Sequence, residues 1–400
     1  MTRGRWLHNP RADRLLAQAA LEAWLDETIF SLADCTAARS TIAAWAGYER
    51  TPLLRLDPLA AELGVARIDY KDESGRFGLG SFKALGGAFA VNSLLADAVE
   101  RRKGFRPTSA ELARGDHAGI ARELTVASAT AGNHGRSVAW GARMFGCPAM
   151  IYIHSGVGQA RAAAIASFGA RVVRVDGDYD ESVRAAAAAA AANGWTLVSD
   201  TSYPGYVEIP RRVMTGYTVM MDELLDQLTG SPQPTHVLLQ AGVGGLAAAA
   251  AAYLALRLGR ERPRIIIVEP ERADCLYQSA LQGHPTLASG RLGSFMLGMD
   301  CAQVSLVAWQ VLDRLADDFV LVSEDEALLA MRRLNQLDGI VAGECAGSGL
   351  AVLERARREP ALARALGLDD RSRVLLIGTE GATDPDAYAA LMAEPAPQPR

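Results

Sequence analysis

Residues 71–88 read KDESGRFGLGSFKALGGA, and this stretch decides the fold. It follows a short β-branched run at 68–71 and passes through a glycine-rich loop into an apolar helical pattern that begins near Lys83. Desolvation at such a turn lowers the pKa of an amine and leaves a nucleophile that forms a Schiff base with a carbonyl cofactor. A single lysine in a strand-to-helix turn is more often ordinary, so the interpretation depends on the rest of the chain.

Short β-branched runs alternate with helical patterns along most of the chain, which predicts βαβ units. The runs are apolar without clean alternation, as in strands buried on two sides. They lie at 66–70, 124–128, 149–153, 171–175, 196–199, 236–240, 264–268, 319–322 and 373–377. The fold class is therefore α/β, with mostly parallel sheets covered by helices on both faces.

The pattern predicts four parts of the chain. A helical extension covers 1–45, and a large domain combines 46–90 with 206–393. A smaller α/β domain, 91–205, is inserted between those two segments. The proline-rich end, 394–400, cannot pack and is expected to be disordered.

Composition excludes several classes of function. The 400 residues are half apolar with a net charge of −5, and the basic residues are scattered, which disfavours nucleic-acid binding. Neither a secretion-type apolar segment nor an 18-residue uncharged apolar window occurs, so we expect a cytoplasmic protein without a membrane partner. Five cysteines without Cys-x-x-Cys spacing and six dispersed histidines fit a reducing compartment and argue against a metal site.

The phrase around Lys83 resembles the cofactor-lysine segment of the fold type II pyridoxal-phosphate enzymes, which include the serine and threonine dehydratases. In its longer form it is most similar to diaminopropionate ammonia-lyase. The resemblance covers roughly 45–390 and implies a two-domain enzyme with pyridoxal 5′-phosphate on Lys83 and Phe82 beside it. It also implies a small amino-acid substrate and a homodimer.

A glycine loop after the run at 236–240 is the candidate phosphate site. Backbone N–H groups at a helix N-terminus bind a dianion, and glycines let the backbone approach closely. Tight strand-to-helix turns also need glycine, so the loop gains weight only together with Lys83. Its residues are Gly242, Val243, Gly244, Gly245 and Leu246.

A second loop, 127–135, also lies between a strand and a helix. Its successive N–H groups could bind the substrate carboxylate, and Asn133 could donate to the phenolic O3′ of the cofactor. The alternative is a turn that needs Asn and Gly for positive φ, with His134 as a packing residue. The substrate candidates in this loop are Ser128, Thr130, Ala131 and Gly132.

Asp200 follows the run at 196–199 and is the candidate base for the α-proton, with Tyr203 in the same turn as a substrate contact. An aspartate that starts a turn is often only an Asx cap. By resemblance this position carries the acid associated with the L-isomer of 2,3-diaminopropionate. The family also has an aspartate associated with the D-isomer, and this chain has Ala131 there, so the L-isomer is favoured.

Three further assignments follow from the resemblance. Thr379, after the run at 373–377, is the candidate neutral partner of the pyridine nitrogen, and Glu344 is a glutamate near the cofactor or a residue that favours a helix dipole. Cys275 and Cys301 match two family cysteines that can pair, although reducing conditions favour free thiols.

The predicted reaction is α,β-elimination of 2,3-diaminopropionate to pyruvate and two ammonia. Lys83 and Asp200 are the predicted catalytic residues. The alternatives are a β-eliminase or dehydratase for another L-amino acid such as serine or threonine, a β-replacement enzyme, and a binding protein that keeps the fold without turnover.

Overall fold

The computed structural model describes residues 5–130, 132–177 and 179–393, so the predictions for Ala131 and for the tail at 394–400 lie outside the described residues. Each of the nine predicted runs contains a strand. In chain order the strands are β1 Trp6–His8, β2 Leu53–Arg55, β3 Arg67–Asp72, β4 Val126–Ala129, β5 Ala149–His154, β6 Arg171–Val175, β7 Thr196–Leu197, β8 His236–Gln240, β9 Arg264–Pro270, β10 Asp318–Val322 and β11 Arg373–Gly378.

Helices connect most of these strands, as the alternating pattern predicts. They are α1 Gln18–Thr28, α2 Leu32–Ala43, α3 Asp57–Leu63, α4 Lys83–Lys103, α5 Ser109–Arg114, α6 Ala118–Glu123, α7 Asn133–Phe145, α8 Gln159–Ala166, α9 Tyr179–Asn193, α10 Glu208–Gln227, α11 Gly245–Leu258, α12 Cys275–Gln282, α13 Leu306–Leu315, α14 Glu324–Asp338, α15 Ser348–Arg358, α16 Pro360–Leu366 and α17 Pro385–Ala393. In the part of the chain that the structure describes, no helix is both long and apolar enough to cross a membrane.

The first compact unit comprises the residues up to Leu32, Arg50–Gly75 and the chain from Met220 onward. Its seven-stranded sheet has the order β1-β10-β9-β8-β11-β3-β2, with parallel pairs inside and antiparallel pairs at the two edges. Every residue of β8 and β10 is buried, so both faces of the sheet are covered there, as in most parallel sheets.

The second unit comprises Ala33–Glu49 and Arg76–Val219. Its four strands are all parallel, in the order β6-β5-β4-β7. Helices α4 and α7 pack closely because glycines lie at their contact. A Cβ on Gly141 would lie 2.6 Å from the Cα of Ala88, and one on Gly87 would lie 2.7 Å from the Oγ of Ser137.

The observed boundaries differ from the predicted ones. The predicted border at 90/91 divides α4, whereas the structure keeps this helix whole in the second unit because it packs along α7. The second unit also contains 33–49 and continues into α10 as far as Val219. Within the predicted helical extension, Trp6–His8 is a strand that pairs with β10.

Candidate active site

Lys83 is the first residue of α4, directly after a loop with left-handed backbone. Phe77, Gly78 and Gly80 have φ values of 51°, 70° and 79°. These conformations are ones that glycine adopts easily, which explains the glycine-rich sequence before the lysine. The Nζ of Lys83 donates to the Oδ2 of Asp200 over 2.5 Å, and the two side chains are 21% and 15% exposed. The predicted catalytic pair is therefore in direct contact within the second unit.

Asp200 lies three residues after β7, in the turn that leads to α10. Burial acts to raise the pKa of its carboxyl group, but the Lys83 ammonium, the nearby His134 and the hydrogen bond from Lys83 outweigh burial and hold the pKa well below its usual range. Asp200 is therefore an ionised carboxylate that faces an amine, and an ionised carboxylate has the open acceptor position that a base needs.

His134 packs on the other side of the same carboxylate. Its Nδ1 lies 3.9 Å from the Oδ2 of Asp200, and its Nε2 lies 3.0 Å from the carbonyl oxygen of Val198. Burial, opposed by Asp200 and reinforced by Lys83, lowers the pKa of the imidazole below its usual value. The ring is therefore neutral at neutral pH.

Two aromatic rings border the amine of Lys83. Its Nζ lies 5.4 Å from the ring centroid of Phe82 and 5.8 Å from that of Tyr217 in α10. The two rings meet edge to face, with centroids 4.8 Å apart. Gly86, one turn after Lys83, makes room for Tyr217, because a Cβ there would lie 2.4 Å from the tyrosine ring. Phe82 thus borders the lysine amine, and its contact with the cofactor stays a prediction.

The loop before α7 is organised by Thr130. Its Oγ1 accepts the N–H groups of Gly132, over 2.9 Å, and Gly135, over 3.1 Å. Ser128 is fully buried in β4, with its hydroxyl 3.4 Å from the carbonyl oxygen of Ala129. The structure therefore gives Ser128, Thr130 and the Gly132 amide internal roles, and their contacts with substrate stay predictions. Asn133 is the half-buried first residue of α7.

Tyr203 is 45% exposed and stacks on Tyr206, with ring centroids 4.9 Å apart. The hydroxyl of Tyr206 donates to the carbonyl of Leu197 and accepts from the N–H of Ser199, which fixes the turn on both sides of Asp200. Tyr206 thus supports Asp200, and Tyr203 stays a predicted substrate contact.

The glycine loop 242–246 lies in the first unit, at the start of α11. Gly244 has φ +95°, a conformation that favours glycine, and caps the helix. A Cβ on Gly242 would lie 2.9 Å from the Sγ of Cys301 and 3.0 Å from the carbonyl oxygen of Gly298. Glycine is therefore required at both positions, and the loop leads into the N-terminus of a 14-residue helix.

Cys275 and Cys301 lie near this loop and are not joined by a disulfide. The Sγ of Cys275 lies 3.6 Å from the carbonyl oxygen of Gly242. Burial, together with the nearby Glu269, raises the pKa of the Cys275 thiol.

Thr379 follows β11 in the first unit and is 3% exposed. Its Oγ1 accepts from the Nε2 of Gln240 over 3.1 Å, and the same nitrogen lies 2.6 Å from the carbonyl oxygen of Ile377. Because Gln240 donates to it, the Thr379 hydroxyl proton is free to point toward another acceptor. Glu344 is buried. The N–H of the next residue, Cys345, donates to the carboxylate of Glu380.

Comparisons with known proteins identify the family. A family model described as "Pyridoxal-phosphate dependent enzyme" matches residues 44–380. The diaminopropionate ammonia-lyase of Escherichia coli K12 is 38% identical over 374 residues, which are 92% of this chain and 93% of that protein. The enzyme of the same name from Salmonella typhimurium LT2 is 37% identical over 353 residues, 85% of this chain and 87% of that protein.

The chain belongs to the diaminopropionate ammonia-lyase family of pyridoxal-phosphate-dependent enzymes. Among solved structures, holo diaminopropionate ammonia-lyase from Escherichia coli has a TM-score of 0.87 at 35% identity, covering 97% of this chain and 96% of that one. Threonine deaminase isoform 2 from Solanum lycopersicum, at 21% identity and TM-score 0.72 over 98% of both chains, shares the fold. The resemblance in the Lys83 phrase is thereby confirmed, as are the α/β fold class and the cofactor.

The residues present fit this cofactor. Lys83 is the candidate amine for its aldehyde. In the first unit, the 242–246 loop is the candidate phosphate site, because its glycines lead into a helix N-terminus. Asn133 and Thr379 are the candidates for O3′ and the pyridine nitrogen. The side chain of Thr379 is an uncharged hydroxyl, which is the kind of group that the sequence predicts beside the pyridine nitrogen.

From the sequence, His134 could be a functional residue or a packing residue. The sequence does not indicate the roles of Tyr217, Gly86 and Tyr206 around Lys83 and Asp200. A histidine next to Asn133 is visible in the motif, but its approach to Asp200 is not. Tyr217 lies in an ordinary amphipathic helix pattern, and no local signal distinguishes it. Its position depends on the close crossing of α4 and α10, where a Cβ on Gly216 would lie 2.4 Å from the carbonyl oxygen of Leu85.

Proposed function

We propose that this protein eliminates the β-amino group of 2,3-diaminopropionate, with the L-isomer favoured, to give pyruvate and two ammonia. The observation that carries the proposal is the contact between the Lys83 amine and the Asp200 carboxylate at the start of α4. The similarity to diaminopropionate ammonia-lyases over most of the chain supports the same substrate.

Bound pyridoxal phosphate supplies an aldehyde that captures amines and a conjugated ring that takes up the electron pair of a Cα–H bond. The chain supplies the proton transfers. Asp200 is ionised and within reach of the Lys83 nitrogen, so the two groups form an acid and a base at one place. Phe82 and Tyr217 shield the amine from water on their side.

The overall reaction balances with water as the only added reactant. The Cα–H bond breaks and its proton passes to Asp200, while a Cα–Cβ double bond forms as the Cβ–N bond breaks. The departing nitrogen keeps its electron pair and takes up a proton, from Lys83 or from protonated Asp200, to leave as ammonia. Hydrolysis of the remaining enamine gives pyruvate and the second ammonia.

The preference for the L-isomer rests on the two sequence positions associated with the isomers in the family. Asp200 occupies the position of the L-associated acid and lies beside Lys83. At the position of the D-associated aspartate the sequence has Ala131, whose methyl side chain can neither accept nor donate a proton. A solved relative from Escherichia coli carries D-serine, so D-amino acids enter at least one enzyme of this family.

A pyruvate and ammonia assay across L- and D-diaminopropionate, L- and D-serine and L-threonine tests the proposal. We expect the highest kcat/KM for L-diaminopropionate, with two ammonia per pyruvate. One ammonia per pyruvate, with serine or threonine preferred, would establish the dehydratase alternative. Strong turnover of D-diaminopropionate would contradict the interpretation that Ala131 restricts the enzyme to the L-isomer. Formation of a new amino acid with added thiols would reveal β-replacement.

We also infer that the active form is a cytoplasmic homodimer that takes a small amino-acid substrate. The resemblance in the cofactor-lysine phrase supports the dimer, and five cysteines outside disulfides fit a reducing compartment. Light scattering coupled to gel filtration tests the dimer, with twice the 42.5 kDa chain mass expected. A monomer mass at working concentration would contradict it.

A further inference from the structure

One ring nitrogen of His134 lies inside the protein and has no hydrogen-bond partner among the described residues. The side chain is 5% exposed. Its Nε2 faces the carbonyl oxygen of Val198 at 3.0 Å, and a carbonyl only accepts, so Nε2 carries the ring proton. The Nδ1 is then a bare acceptor, and within the described residues no hydrogen bond reaches it. It faces the Oδ2 of Asp200 at 3.9 Å.

The charges around the ring keep it neutral. Asp200, in the turn after β7, favours the imidazolium, whereas burial and the ammonium of Lys83 on α4 oppose it, and the pKa of the ring is lowered. His134 is also the second residue of α7, where the helix dipole disfavours a positive ring. Nδ1 and the carboxylate therefore face each other as two acceptors, and they can form a hydrogen bond only when the carboxylate gains a proton.

Two further side chains of the described residues contact the Asp200 carboxyl group, and both are donors. Lys83 donates to Oδ2, and the Thr201 hydroxyl lies 3.4 Å from Oδ1. Both contacts suit a carboxylate and not a carboxylic acid, whose O–H needs an acceptor. His134 supplies that acceptor, and closing the gap by about 1 Å brings it to normal hydrogen-bond length.

We propose that His134 is a positioning residue that holds the protonated form of Asp200. When the carboxylate has taken the proton from the substrate Cα, the new O–H donates to Nδ1, and the proton stays on this pair until the departing β-amine accepts it. The electron pair of the Cα–H bond goes into the new double bond and that of the Cβ–N bond leaves with nitrogen, so no other reactant is needed. The inference rests on the proposed function, because that function makes Asp200 the base.

The test separates α-proton transfer from elimination. L-Alanine has no β-leaving group, so its α-hydrogen exchange in D₂O, followed by proton NMR, reports the proton transfer alone. We expect His134→Leu in the holoenzyme to slow exchange by about 10- to 100-fold with little change in KM, since a buried O–H loses its acceptor. His134→Asn, whose amide oxygen can take the place of Nδ1, should retain most of the exchange, and exposed His284→Asn should match the wild type.

A measurement without turnover decides the same point. In cofactor-free protein labelled with ¹⁵N-histidine, the His134 signals should show a protonated Nε2 and a bare Nδ1, with the ring neutral well below the usual histidine pKa. An imidazolium at neutral pH, a protonated Nδ1, or full exchange activity in His134→Leu would each overturn the inference. If His134→Leu does not fold, the Asn variant and the NMR spectrum still decide.

The two proposals fail in different ways. If diaminopropionate is not the substrate, pyruvate formation fails while the L-alanine exchange still distinguishes the His134 variants. If wild-type enzyme does not exchange L-alanine at all, alanine does not react at this site, and the tautomer seen in the His134 spectrum decides the inference.

Discussion

At the scale of single residues, the site combines charged groups whose protonation states are set by one another. Asp200 stays ionised because the Lys83 ammonium outweighs the effect of burial, and His134 stays neutral because burial dominates. Groups whose pKa values are shifted by burial and by a charged neighbour in this way are typical of active sites.

Asp200→Asn tests the base directly. The amide keeps the size of the side chain but cannot take a proton at neutral pH, so we expect kcat/KM for L-diaminopropionate to fall by about 10²- to 10⁴-fold. The visible absorbance of the bound cofactor should persist, since Lys83 is unchanged. Asp116→Asn, an exposed aspartate of the same unit, is the matched control and should keep full activity. Retained activity in Asp200→Asn would leave Lys83 as the base.

His134 also links stability to pH. Its pKa is lowered in the folded protein, so between that value and the usual value of about 6.5 the unfolded chain binds more protons. The stability contribution is complete above that usual pKa and is lost as the pH falls through it toward the folded value, by up to about 1.4 kcal/mol per pH unit.

Urea unfolding of the cofactor-free protein between pH 7.5 and 5 measures this contribution. His134→Asn should lose less unfolding free energy on acidification than the wild type. The buried His236, whose pKa is also lowered, is present in both proteins and cancels in the difference. Parallel pH curves for the two proteins would show that His134 is already protonated when folded.

At the scale of helices and strands, the sequence predicts the parallel strands well and the edges poorly. Runs such as Ile265-Ile266-Ile267-Val268 identify buried strands by their composition, whereas the three-residue strands β1 and β2 carry no such pattern. These edge strands form because a neighbouring strand offers unpaired backbone groups, which is a tertiary effect.

The candidate site shows the same division. Lys83, Asn133 and Asp200 lie in sequence motifs that indicate a function for them. The fold brings Lys83 and Asp200 into contact although they are 117 positions apart in the chain. Tyr217 lies in no motif. Gly86 belongs to the 71–88 stretch, but nothing in that stretch indicates its contact with Tyr217, which exists only where two helices cross. Such positions could not be predicted from local pattern, because the relevant distance is set by packing.

Gly86→Ala tests this helix crossing. The new Cβ would lie 2.4 Å from the ring of Tyr217 and 2.8 Å from a methyl group of Val213, so we expect a net loss of about 1–3 kcal/mol from overpacking. Because Lys83 is one turn away, kcat should fall as well. The control is Gly119→Ala in α6, where nothing lies within 4 Å and where a gain of about 0.5–1 kcal/mol is expected. Equal stabilities in urea titrations would contradict the observed packing.

At the scale of the whole molecule, the thiols report on both folding and redox state. Cys35, Cys147, Cys275 and Cys345 are buried, and Cys301 is partly exposed. Burial raises the pKa of Cys147 to about 12 and raises those of Cys275 and Cys345 well above the usual value. The reactive form of a thiol is the thiolate, so these groups should be almost inert while the protein is folded.

Titration with Ellman's reagent at pH 7.5 measures these thiols. In the native protein at most one thiol, that of Cys301, should react quickly, and in Cys301→Ser no thiol should react quickly. After denaturation without reductant we expect five reactive thiols, because none of the five cysteines is in a disulfide. Three reactive thiols, restored to five by reductant, would show that two cysteines pair. Loss of that difference in both Cys301→Ser and Cys275→Ser would assign the pair to Cys275 and Cys301. Rapid reaction of four or five thiols in the native protein would instead show that the buried cysteines become accessible through opening of the fold.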